Sequence, residues 1–217
     1  LATFGVESRI YDVKETAFTV AAAAGHDLVV FSPGFPPDHP WLGVARAAGL
    51  ECLGELDFAS LFWRGRVLAI TGTNGKTTLT EFLTHALGAA GRSAHATGNI
   101  GRPFTQLAAV QKGGAKDMFA VCEVSSFQAE TLRFLRADAT LWTNFAEDHL
   151  ERHPGLEGYF GAKWNLVTRT ADRGVFLGTS VERFARRFGR PLIGAAVVPT
   201  ESQPADERLA GTIFAEY

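Results

Sequence analysis

The strongest chemical signal in the sequence is Lys76, which sits in the run Thr71-Gly72-Thr73-Asn74-Gly75-Lys76-Thr77-Thr78. Glycines let backbone N–H groups approach phosphate oxygens, and a helix starting beside them aims its positive end at the anion. A lysine here reaches the β/γ-phosphates of a nucleotide, and the Thr77 hydroxyl is of the type that binds Mg²⁺. The loop departs from the common pattern at one place. Where that pattern has glycine five residues before Gly75, this sequence has Ile70.

Acidic and basic residues at the ends of apolar runs come next. Glu123 closes Met118-Phe119-Ala120-Val121-Cys122, near the carboxyl end of an expected core strand, where ligands gather in open α/β sheets. A carboxylate there serves either a metal ion or a helix cap or salt bridge, and position alone does not choose. Asn144, Asp148 and His149 follow Ala139-Thr140-Leu141-Trp142-Thr143, so one short loop gathers an amide, a carboxylate and an imidazole. His149 reads equally well as a metal ligand and as a surface histidine. Lys163, flanked by Tyr159-Phe160 and Leu166-Val167, reads by spacing as a helix lysine pointing into water.

These residues need a scaffold, and the apolar pattern supplies one. Val67-Leu68-Ala69-Ile70 predicts a strand running into the loop, after which Leu79, Phe82, Leu83, Ala86 and Leu87 recur at helical spacing up to a stop at Gly91. Further strands are expected over 118–124, 139–143 and 174–177, with helices over 158–170 and 181–188. Upstream, Leu28-Val29-Val30-Phe31 predicts a strand closed by Ser32-Pro33-Gly34. A helix through Trp41, Val44, Ala45 and Ala48 then stops at Gly49, and 50–53 is a candidate second strand. Alternating strands and helices imply a mostly parallel sheet covered on both faces. The tail over 199–208 reads as polar and turn-like. The expected division is a small first unit over 1–64 and a phosphate-loop unit over 65–217.

Composition sets the outer limits. The 217 residues are 46% hydrophobic and 20% charged, enough for one or two domains with a real core. A net charge of -2 argues against wholesale wrapping of nucleic acid while leaving room for a local phosphate pocket. Cys52 and Cys122 form no ligand spacing and read as reduced core thiols in a cytoplasmic protein. No apolar run approaches a membrane span. The chain begins at Leu1 rather than methionine, so an earlier segment is expected to be missing.

Taken together, the motifs resemble the Mur ligase family of peptidoglycan synthesis, and within it the branch that adds D-glutamate. The loop 71–78 is similar to the family's own phosphate loop, which accounts for the missing glycine. Gly98-Asn99-Ile100-Gly101, Glu123-Val124-Ser125-Ser126-Phe127-Gln128, Thr143-Asn144 and Asp148-His149-Leu150-Glu151-Arg152-His153 resemble later signatures, and Ala162-Lys163 falls where the family carries a carbamylated lysine. Ser32-Pro33-Gly34 resembles the uridine-diphosphate loop of a first domain.

The resemblance implies a partial Rossmann-like N-terminal domain followed by an open, mostly parallel α/β phosphate-loop ATPase domain. A third domain and the start of the first are expected to lie outside this sequence. It also implies a reaction, in which ATP phosphorylates the carboxylate of UDP-N-acetylmuramoyl-L-alanine and D-glutamate displaces phosphate from the acyl phosphate. Gly72, Thr73, Asn74, Gly75, Lys76, Thr77 and Thr78 would bind ATP. Thr77 and Glu123 would hold Mg²⁺, His149 and carbamylated Lys163 a second ion. Ser32, Pro33, Gly34, Asn99, Ser126 and Gln128 would position the substrate. The implied protein is a monomer with no membrane span. Two other readings stay open, a folylpolyglutamate- or cyanophycin-type ligase and a non-catalytic nucleotide-binding homologue.

Overall fold

The computed structural model describes residues 7–14, 16–192 and 194–199. A short helix α1 (Val20–Ala23) precedes a two-stranded parallel sheet of β1 (Leu28–Phe31) and β2 (Glu51–Gly54), bridged by α2 (Pro40–Ala47). Pro40 opens α2, and Gly49 follows it with φ +78°, the left-handed stop expected there. Phe18, Ala23 and Ala45 form this unit's small core.

Six parallel strands make the larger sheet. These are β3 (Arg66–Thr71), β4 (Ala94–Gly98), β5 (Phe119–Glu123), β6 (Ala139–Trp142), β7 (Val175–Gly178) and β8 (Ala196–Val198), in the order β4-β5-β3-β6-β7-β8. β3 is central, pairing Ile70 with Glu123 of β5 and Thr71 with Trp142 of β6. The connections leaving β3 and β5 go to opposite sides of β3, so the crevice at the carboxyl end of β3 is the sheet's topological switch point. β5 is buried along almost its whole length, which is why it reads as an unbroken apolar run.

One face of the sheet packs Val67, Ala69, Ala120 and Cys122 against α5 (Phe104–Val110) and α3 (Glu55–Ser60), through Phe104, Leu107, Leu56, Ala59 and the following Trp63. A second cluster gathers Trp142, Phe145, Tyr159, Phe160 and Trp164 of the β6–α7 region with Leu177 and Val181. α3 follows the smaller sheet in sequence yet packs on the larger one. Its Asp57, 1% exposed, accepts the backbone N–H groups of Arg133, Phe134 and Leu135 at 2.7, 3.0 and 2.9 Å. Arg133 in turn pairs with Glu51 of β2. The two sheets are thus tied by backbone-capping bonds as well as by apolar contact.

Some elements differ from expectation. Helix α4 (Lys76–Ala89) begins at Lys76 itself, and its buried side is not the apolar one predicted. Thr80 is fully buried while Phe82 is 48% exposed. The inward threonines are tolerated because the hydroxyls of Thr80 and Thr84 donate to the carbonyls of Lys76 and Thr80, each at 2.8 Å. Helix α7 (Gly155–Val167) starts three residues before the predicted 158, since glycines at 155 and 158 hide its first turn in the sequence. β4, β8, α1, α3, α5 and α6 (Ser126–Ala129) were not expected. Helix α8 (Thr179–Arg187) and β7 fall close to prediction. The polar tail lies outside the described residues beyond Pro199.

Candidate active site

Every predicted residue of the larger unit lies at the carboxyl ends of β3, β4, β5 and β6 or on α4, α6 and α7 beside them. β3 ends at Thr71 and the chain turns through Gly72 to Gly75, whose φ of +77° caps α4 in the left-handed conformation. A Cβ at Gly72 would stand 2.0 Å from Thr143 Oγ1, so only glycine lets the loop pass this close to the end of β6.

The loop after β6 holds the phosphate loop in shape. Asn144 accepts from the Asn74 backbone N–H at 2.9 Å through Oδ1 and donates to the Asn74 carbonyl at 3.1 Å through Nδ2. Thr143 Oγ1 donates to the same carbonyl at 2.8 Å, and the Ala146 N–H donates to Thr73 Oγ1 at 3.1 Å. These bonds brace the loop from the end of β6. Thr78 is exposed on the first turn of α4, next to Thr77.

Lys76 Nζ donates to the Thr73 carbonyl at 3.0 Å, bending back over the loop. Beside it Thr77 Oγ1 donates to Glu123 Oε2 at 2.8 Å, and Asn99 Nδ2 donates to Glu123 Oε1 at 2.9 Å. Glu123 is 1% exposed, and these two bonds fix both of its oxygens. The close approach of Asn99 depends on Gly98, where φ is +98° and a Cβ would lie 2.2 Å from the Glu123 carbonyl. A hydroxyl and an oriented carboxylate are hard oxygen donors that suit Mg²⁺, which takes much of its shell from phosphates and water. The residues present fit such an ion.

Lys163, read from spacing as solvent-facing, is instead 1% exposed. Its Nζ donates to the Gly72 carbonyl at 2.9 Å and Thr71 Oγ1 at 3.2 Å, and lies 5.1 Å from the Tyr159 ring centre. Burial first, and the nearby Lys76 charge second, lower its pKa from 10.5 to about 7, against the opposing pull of Asp148 and Glu123. The His149 ring centre lies 6.0 Å from that of Tyr159, so the two predicted metal residues share one neighbourhood. The imidazole stands 3.5 Å from both Asp148 and Glu151, and its backbone φ is +52°. Tyr159, raised in pKa by burial, reaches Thr73 Oγ1 at 3.4 Å.

Ser126 and Gln128 are buried, and their partners are internal. Gln128 closes a capping box with Ser125 at the start of α6, and Ser126 Oγ lies 3.0 Å from His153 Nε2. Ser32, Pro33 and Gly34 form a turn on the smaller unit, with the Phe35 N–H donating to the Ser32 carbonyl at 3.0 Å. Pro33 and Gln128 line one narrow crevice with Phe31, Gly54, Thr131 and Leu132. Tyr159, beside Thr73 and Lys163, is a neighbour of the site that was not among the expected residues. Tyr159 lies one helical turn before Lys163, the spacing that could have exposed it.

Fold and site define a phosphate-loop α/β protein with an acidic residue on the strand next to the loop. The model of the Mur ligase middle domain matches residues 70–190, and the chain belongs to the Mur ligase family. Among curated relatives, the UDP-N-acetylmuramoylalanine--D-glutamate ligase of Desulfatibacillum aliphaticivorans is 43% identical over 137 residues, 63% of this chain and 30% of that protein. The enzyme of that name from Gloeobacter violaceus is 42% identical over 193 residues, 88% of this chain and 42% of its own length. The chain thus spans less than half of either relative. A solved UDP-N-acetylmuramate:L-alanyl-gamma-D-glutamyl-meso-diaminopimelate ligase from Neisseria meningitides superposes with TM-score 0.57 at 16% identity, covering 89% of this chain and 68% of that one. That likeness concerns the fold alone. No helix among the described residues is long and apolar enough to cross a membrane.

Proposed function

We propose that this chain carries the ATP- and acceptor-binding part of a ligase that joins D-glutamate to UDP-N-acetylmuramoyl-L-alanine. The observation that carries the reading is the convergence of Lys76, Thr77, Glu123, Asn99 and Lys163 on one loop, in a chain whose relatives bear that name. The Gloeobacter match supports the acceptor half, since a span of 88% is too long to omit Ser32–Gly34.

The chemistry requires a carboxylate to meet a γ-phosphate, two anions that repel unless a concentrated positive field surrounds them. Lys76 and the N-terminus of α4 supply part of that field from the protein. Thr77 and Glu123 would hold Mg²⁺, which would supply charge neutralisation on the phosphates. The acceptor oxygen attacks the γ-phosphorus and ADP leaves. The D-glutamate amine then attacks the acyl carbon, losing a proton as phosphate departs. Lys163, its pKa lowered to about 7 by burial and the Lys76 charge, has a substantial share of the unprotonated amine that carbamate formation needs near neutral pH. As a carbamate it would serve with His149 at a second ion. Asn99 would stand toward the acceptor, with the buried Ser126 and Gln128 shaping that side through His153 and the start of α6, and the uridine end would lie on Ser32–Gly34. The units over 1–64 and 65–217 are assigned to acceptor and ATP respectively, within a cytoplasmic monomer.

Ligand-dependent thermal stabilisation of the full-length protein tests this reading, because a ligand bound only to the folded state raises apparent stability by mass action. UDP-N-acetylmuramoyl-L-alanine and ADP with Mg²⁺ should each raise Tm, whereas a folate should not. A shift with folate and none with the uridine nucleotide would refute the acceptor assignment.

A further inference from the structure

The proposed chemistry leaves Glu130, Arg152 and His153 without a task, yet they form an enclosed charged cluster beside it. Their side chains are 16%, 14% and 2% exposed. Arg152 Nη2 donates to Glu130 Oε1, and its guanidinium lies 4.8 Å over the Phe127 ring. His153 Nδ1 stands 3.5 Å from the other Glu130 oxygen while its Nε2 meets Ser126 Oγ at 3.0 Å. One carboxylate at the end of α6 therefore receives two residues of the loop that carries His149. Arg152 Nη2 also reaches across to the smaller unit, donating at 3.4 Å to the carbonyl of Phe35, the residue directly after Ser32–Gly34. Phe35 is itself fixed to that turn through its N–H bond to Ser32.

We infer that Arg152, backed by Glu130, is a positioning residue that keeps the Ser32–Gly34 turn in register with the His149 loop, so that an elongated acceptor nucleotide engages both units at once. This rests on the proposed assignment of the two loops. An exposed pair in this place would contribute little, but an enclosed guanidinium with a carboxylate, an aromatic face and a carbonyl has few other geometries open to it. For a ligand that touches both units, the second contact is intramolecular, and its strength depends on how closely the spacing of the two loops is held. A ligand touching one unit gains nothing from the strap.

That asymmetry is what a merely structural role lacks. In the full-length protein, Arg152→Met and Glu130→Gln are to be titrated with UDP-N-acetylmuramoyl-L-alanine, with UDP and with ADP plus Mg²⁺, alongside steady-state kinetics. Arg152→Met should raise Kd and KM for the long acceptor about tenfold while UDP and ADP stay within about twofold of wild type. Glu130→Gln should show the same pattern more weakly, because a carboxamide still accepts but carries no charge. Unchanged acceptor affinity in Arg152→Met would overturn the inference, as would parallel weakening of all three ligands. Should Arg152→Met fail to fold, Glu130→Gln decides by the same pattern, with acceptor affinity equal to wild type counting against. Wild-type protein that binds ADP but neither uridine ligand would refute the underlying assignment and this inference with it, a result seen before any substitution is made.

Discussion

Two amines lie against the phosphate loop under opposite conditions. Lys76 is half-buried and bends onto the Thr73 carbonyl, free to swing toward a phosphate. Replacing it with alanine in the full-length protein should change unfolding free energy by about 0.5 kcal/mol or less. The same change should lower kcat more than tenfold, since the charge matters most where phosphoryl charge develops. A variant keeping more than about a tenth of wild-type kcat would contradict the role. Lys163 is enclosed, with its pKa lowered to about 7 from 10.5. Below about 7 both folded and unfolded states hold the proton, and the folded state bears the full cost of burying it. Between about 7 and 10.5 the unfolded chain binds the extra proton, so this residue makes stability rise with pH across that window. Denaturant titrations in metal-free buffer stripped of carbon dioxide should show that rise between pH 7 and 9.5 in wild type and lose it in Lys163→Met. Equal slopes in the two proteins would show that the amine is not held neutral.

At the scale of elements, the site depends on glycines where strands end. Gly98 turns with φ +98° against the Glu123 backbone, so Gly98→Ala combines left-handed strain with overpacking and should cost about 2–4 kcal/mol. Gly91, with φ +73° and open space around it, should cost only about 1 kcal/mol as alanine. Equal losses in chemical denaturation would mean that the approach of Gly98 to β5 is not tight. The sequence disclosed this architecture unevenly, for physical reasons. β3 and β5 were legible because they are mostly buried and carry the unbroken apolar runs 67–70 and 119–122. β4 escaped because Ala94-His95-Ala96-Thr97-Gly98 sits at the sheet edge, only partly buried, with no run to mark it. α3 and α5 do carry the spacing, in Leu56 and Ala59 and in Phe104, Leu107 and Ala108, but each is too short for the pattern to stand out. At the site, Lys76 and Thr77 stood out by spacing, whereas Glu123 was marked only by its place at a strand end. The enclosure of Lys163 did not, because its acceptors, Thr71 and the Gly72 carbonyl, lie more than ninety residues away in sequence.

For the whole molecule, the arrangement is a switch point at the end of β3 with the smaller unit fastened beside it through Asp57, Arg133 and Arg152. The chain spans 30% and 42% of the two relatives compared above, so the segments those proteins have in addition lie outside what is described. An acyl phosphate must be kept from water, which asks for a site enclosed on every side. The isolated 217-residue chain should therefore show little or no turnover, and substrate-dependent phosphate release near one per second would show that nothing beyond it is needed. The central claim is tested most directly by phosphate release from the full-length protein with Mg-ATP, UDP-N-acetylmuramoyl-L-alanine and D-glutamate, each omitted in turn. The account predicts sustained release only when all three are present, with one amide product formed per phosphate. Release that continues without D-glutamate or without the uridine acceptor, or that yields no amide, would contradict it.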